Sequence, residues 1–265
     1  MKDALGDRIK NQYESRTKYF LPRRTYTLIR LDGKAFHTFT KGFKRPYDET
    51  LMGAMDYTTQ KLCENVQGCK VGYVQSDEIS LLLTDFDKIT TNAYFDNNIQ
   101  KIASITASMA SAYFNQYMRD NEITDKLAFF DSRVFSIADP IEVENYFIWR
   151  QADAVRNSIS MTAQSLYSHK ELNGKSTADM QDMCMDKGVN WNDQPTGFKR
   201  GRMCVKEKYE ALISGVDAAL DNPEINTSYV TRSRWVTKGA IWITKDRESF
   251  SEQIPRMNQK VEVDG

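Results

Sequence analysis

The chain has little of what builds zinc sites or disulfide frameworks. It has four cysteines, Cys63, Cys69, Cys184 and Cys204, with no CxxC pair, and only two histidines, His37 and His169. This gives no support to a zinc centre and reads as free thiols in a reducing cytosol. No run of about 18 apolar residues exists, so no membrane-spanning helix is expected. The charged stretch 1–20 lacks an apolar signal core, so no secretory leader is expected and the expected location is cytoplasmic. Formal net charge is zero, with 36 basic and 36 acidic residues, so a polyanionic partner does not follow from the total. Internal repeats and low-complexity tracts are absent, and glycine (13) and proline (6) are sparse in 265 residues. With 40% apolar residues, the composition is that of an ordinary globular chain, long enough for one large domain or two intimate ones.

The charge is unevenly placed. Residues 1–50 hold 12 Lys or Arg and 6 Asp or Glu, whereas residues 51–150 hold 8 and 14. A basic N-terminal part facing a nucleic acid and an uneven solvated surface both fit this. More telling are two short acidic turns beside apolar strands. Arg30-Leu31-Asp32-Gly33-Lys34 closes Tyr26-Thr27-Leu28-Ile29, and Gln75-Ser76-Asp77-Glu78 is flanked by Val71–Val74 and Ile79–Leu83. Side by side, they bring three carboxylates to one sheet edge. That suits two magnesium ions gripping a triphosphate, and hence nucleotidyl transfer.

The periodicity predicts a helix over 3–19 with Leu5, Ile9 and Tyr13 on one face, and a first strand over 25–31. Residues 34–47 read as a loop. A helix follows, capped by Asp48 and striped by Leu51, Met55, Leu62 and Val66. Strands over 69–75 and 79–84 form a hairpin. A long helix over 97–118 has the stripe Ile99, Ile102, Thr106, Met109, Tyr113 and Tyr117, and a fourth strand covers 127–134. This β-α-β-β-α-β succession predicts an α+β fold: a ferredoxin-like or polymerase-palm antiparallel sheet of order 4-1-3-2, which sets Asp32 beside Asp77 and Glu78. Residues 1–140 read as this palm-like core, and 141–265 as a mainly helical region packed on it. Helices over 142–168 and 176–187 precede an irregular basic segment, 191–202. A β-hairpin is expected over 228–245 around Lys238-Gly239, and a loose tail over the last twenty residues.

By itself, Asp32-Gly33 after a strand is a common turn, and acidic hairpin tips are ordinary. Together, Asp32 and Asp77 supply hard oxygen ligands, the Gly33 carbonyl another, and the turn Gly33-Lys34-Ala35-Phe36-His37 offers amides to a triphosphate. His37 fits a packed or nucleotide-stacking role better than a general base. Lys44 and Arg45 read as a solvated loop or a phosphate contact, and Arg133 as a surface partner of Asp131 or an RNA contact. Lys199, Arg200 and Arg202 lie near Trp191 and Phe198, a mixture that suits RNA and is also common on plain surfaces.

Taken together, Arg30–His37, Lys44–Asp48, Gln75–Glu78, Phe130–Arg133, Trp149–Asp153 and Gly188–Asn192 with Lys199–Gly201 resemble, in order, the motifs of the tRNA-His guanylyltransferase family, the 3′-to-5′ RNA polymerases. The resemblance implies a palm-like fold and two magnesium ions held by Asp32, Asp77 and the Gly33 carbonyl. It implies catalytic roles for Glu78 and Ser76, the latter in 5′-end activation, and places Arg45 and Asp48 near the nucleotide. ATP and GTP or other NTPs are the implied substrates. tRNA is the implied partner, contacted by Arg133, Asn157, Lys199 and Arg200, and a homotetramer is the implied assembly. After Trp149–Asp153, eukaryotic members carry a His-x-Asn-Asn-Leu-Tyr-Asn-Thr segment. Here Val155–Thr162 has neither the His nor the Tyr, which resembles the guanylyltransferase-like branch that repairs 5′-truncated tRNAs. Addition of a single G to tRNA-His, a nucleotide cyclase and a non-catalytic tRNA-binding protein are the alternatives.

Overall fold

The computed structural model describes residues 3–212, 229–240 and 243–257. In chain order the elements are α1 (Ala4–Gln12), β1 (Tyr26–Gly33), α2 (Phe36–Phe39), α3 (Glu49–Asn65), β2 (Cys69–Gln75), β3 (Glu78–Leu83), α4 (Ile99–Asp120) and β4 (Phe130–Ile137). There follow α5 (Pro140–Gln164), α6 (His169–Leu172), α7 (Thr177–Asp186), α8 (Thr196–Arg200), β5 (Arg202–Leu212), β6 (Tyr229–Gly239) and α9 (Arg247–Ser251). Helix starts follow local side-chain chemistry. Asp48 accepts from the Thr50 and Leu51 amides, and Asn98 caps α4. Asp139 caps α5, with Pro140 in its first turn.

Among the described residues the strands form one antiparallel sheet of order β4-β1-β3-β2-β5-β6. The first four strands have the expected order, and β5 extends the sheet from the C-terminal half. Strand alternation divides the core. Ile29, Leu31, Ile79 and Leu81 face α3 and α4, packing with Met55, Leu62 and Phe114. Tyr26, Leu28, Tyr73 and Leu82 face α5, packing with Val143, Phe147 and Phe250. Each large apolar side chain fully buried this way contributes about 1.5–3 kcal/mol.

Several expectations change. The expected helix over 3–19 ends at Gln12, so Leu5 and Ile9 lie in α1 and Tyr13 caps its end; all three are exposed, and α1 buries no residue. The buried stripe of α4 is Ile102, Thr106, Ala110, Phe114 and Met118. It is turned slightly from the expected one, with Ala110, Phe114 and Met118 on the buried face; Met109 and Tyr117 pack at its margin. The predicted helix over 142–168 stops at Gln164, since Ser168 forms a reciprocal capping box with Glu171 and starts α6. Lys238-Gly239 is not a turn: Met203 pairs with Lys238 and Arg202 with Gly239, at the end of a long β5–β6 ladder. The expected tail is partly docked. Phe250 and Ile254 are buried in the core, and the Tyr26 hydroxyl donates to the Pro255 carbonyl at 2.7 Å. Residues 258–265 lie outside the described residues.

Candidate active site

Register places an acidic rung at one end of the sheet. Asp131, Asp32, Glu78 and Gln75 are successive partners across β4, β1, β3 and β2. Partners in register share a face, so the three carboxylates gather beneath α5. Asp77 joins them from the β2–β3 turn, which Ser76 makes tight with a left-handed φ of 46°. The two acidic turns are stitched directly: the Gly33 amide donates to the Asp77 carbonyl at 3.1 Å.

The carboxylates differ in what surrounds them. Glu78 is buried and takes two hydrogen bonds from the Arg150 guanidinium, both at 2.7 Å. Arg150 reaches on to Asp153 at 2.8 Å, and Arg156 and Asn157 also hold Asp153. Burial raises the Glu78 pKa and the Arg150 charge opposes it. At Asp153 burial is outweighed by Arg150 and by hydrogen bonds from Arg156 and Gln75, and the pKa falls. Asp32 is raised by burial and then by Asp131, against the pull of Arg133, Arg30 and Arg150. Asp77 is raised by burial, with the Ser76 hydroxyl and the residue's own amide opposing and Asp32 adding to the rise.

Asp32 and Asp77 are thus two desolvated carboxylates, each also opposed in its ionisation by a neighbouring carboxylate, Asp131 at Asp32 and Asp32 at Asp77. Among the described residues no basic side chain hydrogen-bonds to either, and Asp77 is reached by the Ser76 hydroxyl at 3.0 Å. Hard oxygen donors in that state fit a divalent cation. No group of three or more His, Cys, Asp or Glu forms a preformed cage among the described residues. Magnesium needs none, because it binds through one or two carboxylates plus substrate phosphates and water.

A cleft of about 480 Å³ is bordered by Asp77 and by Gly33, the residue after Asp32, and is within the range of small-molecule sites. Gly33, Ala35, Phe36 and His37 form one wall, Arg45 and Asp48 another, and Ser76, Asp77 and Asn157 its inner edge. The turn that forms the first wall has local causes. Ala35 adopts φ 53°. A Cβ on Gly33 would lie 2.2 Å from the Phe36 ring, and Phe36 is fixed in turn by Phe39, Phe114 and Phe130. Six of the seven expected nucleotide-site residues border the cleft; Lys34 is exposed beside it. Asp48 is occupied structurally, accepting from the amides of Lys44, Thr50 and Leu51.

The expected RNA contacts separate. Arg133 is exposed, 3.6 Å from Asp131. Asn157 reaches the cleft. Lys199 is turned inward: its ammonium donates to the Asn192 carbonyl and lies over the buried Trp191 ring, whose N–H donates to Ser158. The Arg200 carbonyl accepts from Tyr73. Lys199 and Trp191 therefore belong to a clasp that ties α8 to α5 rather than to an open stacking surface, while Phe198 borders the cleft against Tyr47. Arg150 and Asp153 were not assigned to the site from sequence. The available signal was Glu78 itself, a charge in an otherwise apolar strand that needs a partner.

The family model described as Thg1, tRNAHis guanylyltransferase, matches residues 6–138. A bacterial tRNA(His) guanylyltransferase-like protein in complex with ATP is 43% identical, with a TM-score of 0.83 over 96% of this chain and all of that one. A bacterial guanylyltransferase-like protein in complex with GTP gives 42% and 0.78, over 95% and 99%. The tRNA(His) guanylyltransferase of Debaryomyces hansenii is 28% identical over 224 residues, 78% of this chain and 82% of that protein. The chain therefore belongs to the tRNAHis guanylyltransferase family and is a nucleotidyltransferase.

Proposed function

We propose that this protein adds nucleotides to the 5′ end of tRNA, in the 3′-to-5′ direction, choosing each by pairing with the opposing strand. The observation that carries the reading is the junction of the cleft with the Asp32–Asp77 pair: a nucleotide-sized space bordered by Asp77 and by Gly33, the neighbour of Asp32, with no basic side chain among the described residues hydrogen-bonded to either carboxylate. The relatives in complex with ATP and GTP support it, as does the order β4-β1-β3-β2, which agrees with a polymerase-palm reading.

In the first step the RNA 5′-monophosphate attacks the α-phosphorus of ATP, forming an adenylylated end and releasing pyrophosphate. The 3′-hydroxyl of an incoming NTP then attacks that 5′ phosphate. It loses its proton, the new phosphodiester forms and AMP leaves. Magnesium, held by Asp32 and Asp77 with the Gly33 carbonyl, would neutralise triphosphate charge and lower the pKa of the attacking hydroxyl. The Gly33–His37 turn and Arg45 receive the triphosphate, Ser76 assists activation at the 5′ end, and Arg150 holds Glu78 so that Asp32 and Asp77 remain available. Val155–Thr162, lacking the His and Tyr of eukaryotic members, favours repair of truncated ends. The names of the curated relatives favour a second reading, addition of one G to tRNA-His. A homotetramer in the cytoplasm and a catalytic core over 1–140 belong to the same proposal.

The activation step is testable alone. With 5′-monophosphorylated RNA, magnesium and α-labelled ATP as the sole nucleotide, label should appear on the RNA as a 5′-linked AMP. Absence of label, with the RNA bound, would overturn the mechanism.

A further inference from the structure

The cleft accounts for one of the two substrates a nucleotidyltransferase must hold. On the face covered by α5, the acidic rung has a basic neighbour. Arg30 and Arg133 are partners in register, two residues along β1 and β4 from Asp32 and Asp131, a separation of about 7 Å. Trp149, on α5, stands beside them and is 50% exposed. The Arg30 guanidinium lies 5.8 Å from the Trp149 ring centre, and that of Arg150 lies 4.3 Å away. Tyr146 supports the ring edge-on at 6.0 Å. The Arg30 Nε is buried and has no hydrogen-bond partner among the described residues, while Arg133 is 53% exposed and makes a loose 3.6 Å pair with Asp131. None of Arg30, Arg133 and Trp149 borders the nucleotide cleft.

We infer that Trp149, Arg30 and Arg133 form a subsite for the 5′-terminal nucleotide of the acceptor RNA. Its base stacks on the exposed part of the Trp149 ring, and its phosphate lies on the basic rung, one step from Asp32. The chemistry selects this ligand. A half-exposed indole braced by guanidinium groups is a platform for a flat ring, and arginine recognises phosphate by paired donors. The arrangement places the acceptor end and the nucleotide cleft on either side of the carboxylate pair, as transfer between them requires. The inference rests on the proposed function in taking the second substrate to be an RNA 5′ end.

The test uses the full chain and an acceptor-stem RNA hairpin with a 5′-monophosphate and 2-aminopurine as its first nucleotide, without NTP. Stacking on Trp149 quenches the 2-aminopurine. Trp149→Ala should abolish the quench and raise the KM for RNA about tenfold, leaving the KM for ATP unchanged, and Trp149→Phe should restore most of both. Arg133→Gln should weaken binding of the 5′-phosphorylated hairpin and not of its 5′-hydroxyl counterpart. Equal quench and equal RNA KM in wild type and Trp149→Ala would overturn the subsite, as would equal loss of both hairpins in Arg133→Gln. Nucleotide addition intact in Trp149→Ala would sink the subsite while the proposed function stands. A Trp149-dependent quench in a wild-type protein that adds no nucleotide would sink that function while the subsite stands.

Discussion

The Arg150 guanidinium grips both oxygens of Glu78, each at 2.7 Å, and neither side chain is more than a tenth exposed. The pair ties α5 to β3 one residue after Asp77. Of the four carboxylates at this sheet edge, Arg150 engages Glu78 and Arg133 pairs with Asp131, which leaves Asp32 and Asp77 for a cation. Removing one partner leaves an uncompensated buried charge, so Arg150→Met should lower stability by about 3–5 kcal/mol. Glu78→Gln combined with Arg150→Met should recover most of that loss without recovering nucleotide addition. Urea unfolding midpoints of the two single variants and the double variant check this.

Asp32 and Asp77 carry the chemistry in this account, so their neutral isosteres should fail differently. Asp77→Asn and Asp32→Asn should each lower nucleotide addition at least about 10³-fold. Both should keep the wild-type circular dichroism spectrum and RNA affinity. A single-turnover assay with saturating RNA is the measurement, and near-normal rates in a folded Asp77→Asn protein would remove Asp77 from the site.

Gly33 couples the core to the cleft. A methyl there would collide with the Phe36 ring, and that ring is packed against Phe39, Phe114 and Phe130. Gly33→Ala should therefore cost about 1–3 kcal/mol of stability and raise the KM for NTP more than it lowers kcat. Thermal unfolding and steady-state kinetics on one preparation separate the two effects.

The strong local signals were legible in the sequence. Apolar β1 ending in Asp32-Gly33, the Ser76-Asp77 turn and the Asp48 cap each announce themselves within a few residues, and the order 4-1-3-2 followed from their succession. What failed depended on partners far along the chain. Leu5, Ile9 and Tyr13 show an apolar stripe, but a stripe does not say what covers it. Lys199 and Trp191 make the same local pattern whether they face RNA or, as here, α5. β5 escaped notice because Lys206, Glu207, Lys208 and Glu210 give it the composition of a loop, and its strand pairing depends on β6. Arg150 lies 72 residues from Glu78, beyond any spacing rule.

The docked C-terminal segment has a pH signature. Glu144 is buried, and Ser251, Arg247 and Arg256 all donate to it. Burial alone would raise its pKa, but those hydrogen bonds and charges prevail and lower it. A carboxylate with a lower pKa folded than unfolded contributes stability above the unfolded value and loses it as pH falls through the folded one. Protection of amides 247–256 against hydrogen exchange should therefore decline below the ordinary glutamate range, about pH 4. In Glu144→Gln it should be weak at neutral pH and nearly flat with pH.

The central claim is that the opposing strand chooses the nucleotide added at the 5′ end. The direct measurement uses four 5′-monophosphorylated tRNAs lacking their first nucleotide, each with a different base opposite the gap, with ATP, magnesium and all four NTPs. The account predicts that the added base changes with the opposing base and follows Watson–Crick pairing in each. Addition of G regardless of the opposing base, or addition confined to tRNA-His, would contradict it.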